Sequence, residues 1–275
     1  MATLELEARL ESLLSSAQAE TADIDLFAPI PLREECPICL IPLPINEGFT
    51  FFSCCGKIIC DGCNHKSAFT EMKKGKRIQV QKCAFCQQTF ESTDKKNIKL
   101  LKRLMKNNNP QAFMRMANAY RTGDEVFQSH TKALEMYIRA AELGLDEAFL
   151  VIANHYMYGI IVEEDSSKAI EFWEVAAKKG CLGGHKGIAR FYMRNMDFHS
   201  SVQHLKVAAS AGDQQSLGTL TGFYKDAKDE IIPKEDLTKT LHAFQASNNE
   251  TKSKDRDDAR KYLAAVRRFN GGLTE

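Results

Sequence analysis

Several features are missing from this sequence, and each absence excludes something. No stretch of the 275 residues approaches 18 consecutive apolar positions, so no membrane-spanning helix is expected. The opening residues, M-A-T-L-E-L-E-A-R-L, contain no basic segment leading into an apolar run, and no secretory signal is expected from them. There is no phosphate-cradling glycine loop, no nucleophile–base pair in a supporting context and no pair of acids that stands apart. Hydrolytic, phosphate-handling and acid–base enzymes therefore lack a signature here. Net charge is nearly absent too, at +1. The expected compartment is the cytoplasm, with the nucleus as second choice. Thiols stay reduced there, so clustered cysteines read as metal ligands rather than disulfides.

What is present begins with hydrophobic content of 44%, enough for a packed chain of two modest domains. The near-zero charge hides an asymmetry. Residues 1–50 carry nine acids and two bases, whereas residues 66–106 carry twelve bases and three acids. The basic runs Lys73–Arg77 and Lys95–Lys106 have no interleaved aromatics, so a solvated face is expected before a nucleic-acid contact. K-K-G-K-R at 73–77 is also similar to a nuclear-import signal, a short pattern common by chance.

Eight of the nine cysteines fall between residues 36 and 86: Cys36, Cys39, Cys54, Cys55, Cys60, Cys63, Cys83 and Cys86. Cys36/Cys39, Cys60/Cys63 and Cys83/Cys86 each leave two residues between thiols, the spacing that lets a turn grip one zinc ion from two sides. Adjacent Cys54 and Cys55 make the fourth pair. Four pairs suit two four-thiolate zinc ions with no open position for water, hence structural rather than catalytic metal. Loaded with two zinc ions, the chain would carry about −3. Wiring remains open between an interleaved arrangement and two consecutive sites. His65 in place of Cys55 is the alternative fourth ligand of the second site. Cys181, the ninth thiol, is expected to be a small core residue.

From Pro110 onward the chain repeats. A-F-M-R-M-A-N-A-Y at 112–120 returns as A-F-L-V-I-A-N-H-Y at 148–156, G-H-K-G-I-A-R-F-Y at 184–192 and S-L-G-T-L-T-G-F-Y at 216–224. A second pattern alternates with it and carries the alanine pairs 140–141, 176–177 and 208–209, each followed by a glycine suited to a left-handed helix cap. Each unit is thus a helical hairpin, and stacked hairpins bury what one cannot. The fourth lacks the alanine pair. His155, His185 and His199 are expected to be packing or surface residues.

The expected fold is mainly α: a small zinc-stabilised α+β module followed by an α-solenoid of about four helical hairpins. Expected segments are an amphipathic helix and lead-in (1–33), the cysteine module (34–90), a linker helix (91–109), the repeats (110–246) and a charged capping segment (247–275). Within the first, Leu6, Leu10, Leu13, Leu14 and Ala17 have helical spacing. A helix packed on its own protein is expected there before a partner-binding one.

Two resemblances refine this. The repeats resemble Sel1-like repeats, relatives of the tetratricopeptide repeat, through the A-x3-aliphatic-[AT]-x2-Y helix, the Lys-Ala start of the second helix and its A-A-x2-G ending. That implies binding of protein partners. The cysteine order resembles a RING finger, whose ligands interleave: Cys36, Cys39, Cys60 and Cys63 would share one zinc ion, and Cys54, Cys55, Cys83 and Cys86 the other. The histidine most RING fingers place near Lys57 is missing. Ile38 matches the family's aliphatic contact to a ubiquitin-conjugating enzyme, whereas Ala84 stands where proline is usual and Gln87 where arginine is frequent. With C-P-I-C-L-I-P-L-P-I and S-C-C-G-K-I-I-C-D-G-C, the chain resembles proteins pairing a RING module with Sel1-like repeats. The resemblance implies a ubiquitin ligase or ligase-like adaptor without a covalent catalytic residue, and a monomer is expected. The alternative is a non-enzymatic scaffold.

Overall fold

The computed structural model describes residues 2–31, 34–44, 48–73, 81–90, 94–227 and 230–271. Lys74–Arg77, the bulk of the basic run, lies outside them. The fold is mainly helical, and the chain divides into two compact units, each built from two separated stretches: Met1–Pro31 with Met105–Ser247, and Leu32–Leu104 with Asn248–Glu275.

The larger unit is a helical solenoid. Helices α4 (Pro110–Thr122) and α5 (His130–Glu142) form the first hairpin, α6 (Asp146–Met157) and α7 (Ser166–Lys178) the second, α8 (Leu182–Arg194) and α9 (Phe198–Ser210) the third; α10 (Gln214–Ala227) then packs on α9, and α11 (Lys234–Glu250) follows it in the chain. The period of the sequence becomes visible at the second helix of each hairpin. Gly144, Gly180 and Gly212 take φ of +86°, +95° and +105°. The amide of the residue after each glycine reaches back five residues to the first alanine of the pair: Leu145 to Ala140 (3.0 Å), Cys181 to Ala176 (2.9 Å) and Asp213 to Ala208 (3.1 Å). The alanine pair therefore supplies both close packing and the carbonyls that close the helix. Leu145, Cys181 and Asp213 share one repeat position. Cys181 is a turn residue whose thiol burial pushes up to about 12. Asp213 caps α10 by accepting from the Ser216 amide at 2.8 Å.

One irregularity has a specific cause. In the third unit glycines occupy positions 184 and 187, where the second unit has Ala148 and Val151. A Cβ on Gly184 would lie 2.5 Å from the Trp173 carbonyl oxygen, and one on Gly187 would lie 2.6 Å from the Trp173 ring. The indole on α7 fills the space a side chain at 187 would take, and the α7 backbone itself comes too close to admit one at 184.

Helix α1 (Ala2–Glu20) packs on α5 and α7, burying Leu6, Leu10, Leu14 and Ala17 in the solenoid core. Ion pairs Arg9–Glu142 (2.7 Å), Glu11–Lys168 (3.0 Å) and Glu20–Lys179 (2.9 Å) flank that stripe. The chain then continues over α9, where Phe27 meets the His204 ring at 5.0 Å.

The smaller unit holds β1 (Phe49–Phe52) paired antiparallel with β2 (Lys57–Cys60), then α2 (Asp61–Lys73), the short pair β3 (Gln81–Lys82) and β4 (Thr89–Phe90), and α3 (Asp94–Lys106). Helix α12 (Lys254–Gly271) belongs here as well, packed on α2. The expected placement of residues 247–275 as a cap on the repeats is thus corrected. The reason is a close helix crossing at Gly62, which a periodicity argument does not see.

Candidate metal centres

The cysteine pairs are positioned by three kinds of turn. Cys36–Cys39 and Cys83–Cys86 lie in two loops of the same design. In the first, the Leu40 amide donates to the Cys36 carbonyl at 2.9 Å and the Cys36 amide to Ile41 at 3.0 Å. In the second, the Gln87 amide donates to Cys83 at 3.0 Å and the Cys83 amide to Gln88 at 2.9 Å. Each turn closes on a residue with positive φ, Leu40 at +56° and Gln87 at +60°. Cys54 and Cys55 occupy the four-residue loop between β1 and β2, closed by Gly56 donating to Phe52 at 2.8 Å with φ +70°. Cys60 ends β2 and Cys63 lies in the first turn of α2.

These turns bring the thiols into two groups of four, Cys36–Cys39–Cys60–Cys63 and Cys54–Cys55–Cys83–Cys86, with every sulfur within 4.8 Å of the others in its group. The order along the chain is interleaved, not sequential. Tetrahedral zinc–thiolate bonds of about 2.3 Å place ligand sulfurs roughly 3.8 Å apart. Sulfur–sulfur separations here are 3.8 Å for Cys39–Cys60, 3.8 Å for Cys55–Cys83 and 3.4 Å for Cys54–Cys86. A disulfide would need about 2.05 Å. The donor set and spacing fit a four-thiolate metal ion, and either group could hold one. His65 is in neither group. Its ring sits 4.9 Å from Tyr262.

The thiols differ in how readily they ionise. Burial opposes a thiolate at Cys36, yet backbone amides of Cys39, Cys60 and Ile38 hold it at about 7. Cys86 is likewise lowered, against burial, by the Gln88 amide and its neighbouring thiols. Burial raises Cys54, Cys60 and Cys63, and pushes Cys55 to about 11. Repulsion from neighbouring thiolates adds to the rise at all four. One ionised sulfur in each group makes the next harder to ionise, a conflict that a bound divalent cation removes.

Two arginines from outside the cysteine loops reach these groups. Arg103 on α3 donates to the Cys54 carbonyl at 2.8 Å. Arg256 on α12 donates to the Cys39 sulfur at 3.8 Å. Sequence reasoning missed both, because neither stands near a ligand in the chain. It also missed His204, whose Nδ1 lies 3.1 Å from that of His185 inside the solenoid. Ile38, Ala84 and Gln87 all sit on the two cysteine loops. Ile38 is 42% exposed, Ala84 half-buried, and Gln87 exposed with its amide folded onto the Ala84 carbonyl at 3.1 Å.

The solenoid offers a cavity of about 320 Å³ between α1 and the repeats, but its charged lining residues Arg9, Glu20 and Lys179 are paired in the bridges already described. No helix of the described residues is long and apolar enough to cross a membrane.

Comparison with known proteins places Sel1 repeats in the chain: residues 110–145 and 152–181 match the Sel1 repeat family. No curated protein matches. Among solved structures, a Sel1 repeat protein from Oxalobacter formigenes is similar at 24% identity, over 55% of this chain and 64% of that one, with a TM-score of 0.47. The protective antigen c5321 of uropathogenic Escherichia coli, which displays an SLR fold, is similar at 21% identity, over 65% of this chain and 37% of that one, with a TM-score of 0.46. Both matches span less than two thirds of the other protein. No RING or zinc-finger family is matched, and the Sel1 repeat match falls within the first two hairpins of the solenoid.

Proposed function

We propose that the two thiol groups hold two zinc ions as a RING-type cross-brace, and that the protein is a ubiquitin ligase or ligase-like adaptor whose Sel1 repeats recruit protein partners. The observation that carries this is the interleaving of two four-thiol groups at zinc-compatible spacing. Cys36, Cys39, Cys60 and Cys63 would hold one ion, and Cys54, Cys55, Cys83 and Cys86 the other. The metal would supply cross-linking, replacing the core so small a unit cannot build. The chain itself supplies an apolar surface. Ile38, Leu40 and Phe85 are 42%, 68% and 46% exposed on the two cysteine loops. Leu40 holds a backbone conformation that bulky residues rarely adopt. A large exposed apolar side chain at such a position favours a role in contact over one in folding.

A second reading, a scaffold without ligase activity, is favoured by Gln87. Its amide is engaged with its own loop at 3.1 Å and carries no guanidinium to extend toward ubiquitin.

Metal analysis of the full chain is expected to give two zinc ions, and a value near one would refute the ligand assignment. Zinc-loaded protein with ubiquitin-activating enzyme and a panel of conjugating enzymes is expected to form ubiquitin conjugates, and Ile38→Ala to abolish them with zinc content still at two. Folded two-zinc protein that forms none with any of them leaves the scaffold.

A further inference from the structure

Arginine is almost never fully buried unless it is paired. Arg256 is 6% exposed. Its Nη1 donates to the carbonyls of Pro42 (2.7 Å) and Thr251 (2.8 Å), and its Nη2 to the carbonyl of Ile41 (3.1 Å) and the sulfur of Cys39 (3.8 Å). Nε has no hydrogen-bond partner among the described residues. None of the four acceptors is a carboxylate. Carbonyl dipoles orient a guanidinium but do not cancel its charge. The anion it faces is the Cys36–Cys39–Cys60–Cys63 group.

The two thiol groups differ in what surrounds them. Cys36, Cys60 and Cys63 are buried and Cys39 is half-buried, so solvent compensates little of a charge there. The other group has Cys86 at the surface, where water can. A divalent ion with four thiolates keeps a net charge of about −2. In the buried group a fixed cation is the remaining way to reduce it. Gly62, between Cys60 and Cys63, carries the second observation. A Cβ there would lie 2.8 Å from the Arg256 backbone nitrogen and 2.9 Å from its Cγ. The first turn of α2 is thus shaped to admit α12 at that point.

We propose that Arg256 is a positioning residue for the metal in the Cys36–Cys39–Cys60–Cys63 group. Through it the last helix of the chain completes a site whose ligands end at Cys63. The inference rests on the zinc reading above. It makes the two sites unequal: the first is held by the C-terminal helix, and the second is not.

Zinc release from the full-length protein to a chromophoric chelator tests this, with Cys86→Ser identifying the kinetic phase of the second group. Removing a partner of this kind typically weakens a metal site 10- to 100-fold. Arg256→Met is expected to speed release from the first group by about that factor while the second phase stays at the wild-type rate. Arg256→Lys keeps the charge without the fork and is expected to fall between. Gly62→Ala, which displaces α12, is expected to act in the same direction. In cobalt-substituted protein, Arg256→Met is expected to move the sulfur-to-metal charge-transfer band to lower energy, since a cation near sulfur stabilises its lone pairs. Wild-type rates in Arg256→Met, or equal acceleration of both phases, would overturn the inference. If circular dichroism shows Arg256→Met unfolded, unchanged first-phase rates in Arg256→Lys and Gly62→Ala overturn it instead. A wild-type chain that binds fewer than two zinc ions breaks the underlying zinc reading and not this step.

Discussion

The two units solve the same problem with different materials. The solenoid has a continuous apolar core running through α1 and the repeats, from Leu10 and Leu134 to Phe172 and Ile188. In the smaller unit the apolar cluster among the described residues is Cys36, Leu43, Phe52, Cys54, Ile59, Cys60, Cys63 and Cys83, so five of the eight members of that cluster are cysteines. One unit is held by area removed from water, whose contribution accumulates residue by residue. The other has too little of that area and, on the zinc reading proposed above, would rely on ligation, which is gained or lost as a whole. The difference teaches where each is vulnerable: the solenoid to shape, the cysteine unit to chemistry.

The largest expected effect separates them outright. Structural zinc contributes on the order of 10–16 kcal/mol in small metal domains. Chelation is expected to abolish amide-exchange protection in β1, β2, α2 and α12 while α4–α10 keep theirs. Equal loss in both units would break the comparison.

Shape is tested next. Phe172→Ala, at a fully buried ring on α7, is expected to cost about 3–5 kcal/mol in urea unfolding with zinc retained. Gly184→Ala should cost about 1–3 kcal/mol from crowding against the α7 backbone.

The solenoid has one chemical weakness of its own. His185 and His204 are buried and joined through their Nδ1 atoms at 3.1 Å, and the His204 ring stacks on Tyr192 and meets Phe27 at a tilt. Burial holds both near 4, with His204 adding to the effect at His185. Free histidine titrates near 6.5, so the unfolded chain binds more protons between these values. Stability is then complete above about pH 6.5 and falls as the pH drops toward 4, by roughly 3 kcal/mol per ring. His204→Phe, monitored by thermal melts across this range, is expected to flatten the slope. The smallest effect is a cap: Asp165, accepting from the Lys168 amide at 3.0 Å, is expected to be worth about 1 kcal/mol in Asp165→Ala.

What was legible in the sequence follows the same division. The hairpins were, because the alanine pairs, closing glycines and tyrosines recur every 32 to 36 residues and act within a few residues of themselves. The cysteine spacing announced metal chemistry, but the interleaved grouping could not be obtained from spacing alone. It needed a resemblance, and then the folded turns. Contacts across long sequence distance stayed hidden. Trp173 explains Gly184 and Gly187 only once α7 and α8 are packed. Arg256 reads as one charge in an acidic, solvated run until α12 is seen against Gly62. Of the surface residues singled out early, Ile38 is exposed, whereas Gln87 is engaged with its own loop, and no spacing argument distinguishes those states.

The chain passes between the two units three times, at residues 31–32, 104–105 and 247–248. A single backbone cut at any of these points leaves both fragments contributing to a shared unit. The protein is therefore built like a split reporter. Nicked protein should elute at its full mass and fall apart in denaturant or, for the cut at 247–248, on chelation, and the separated halves should find each other again when mixed.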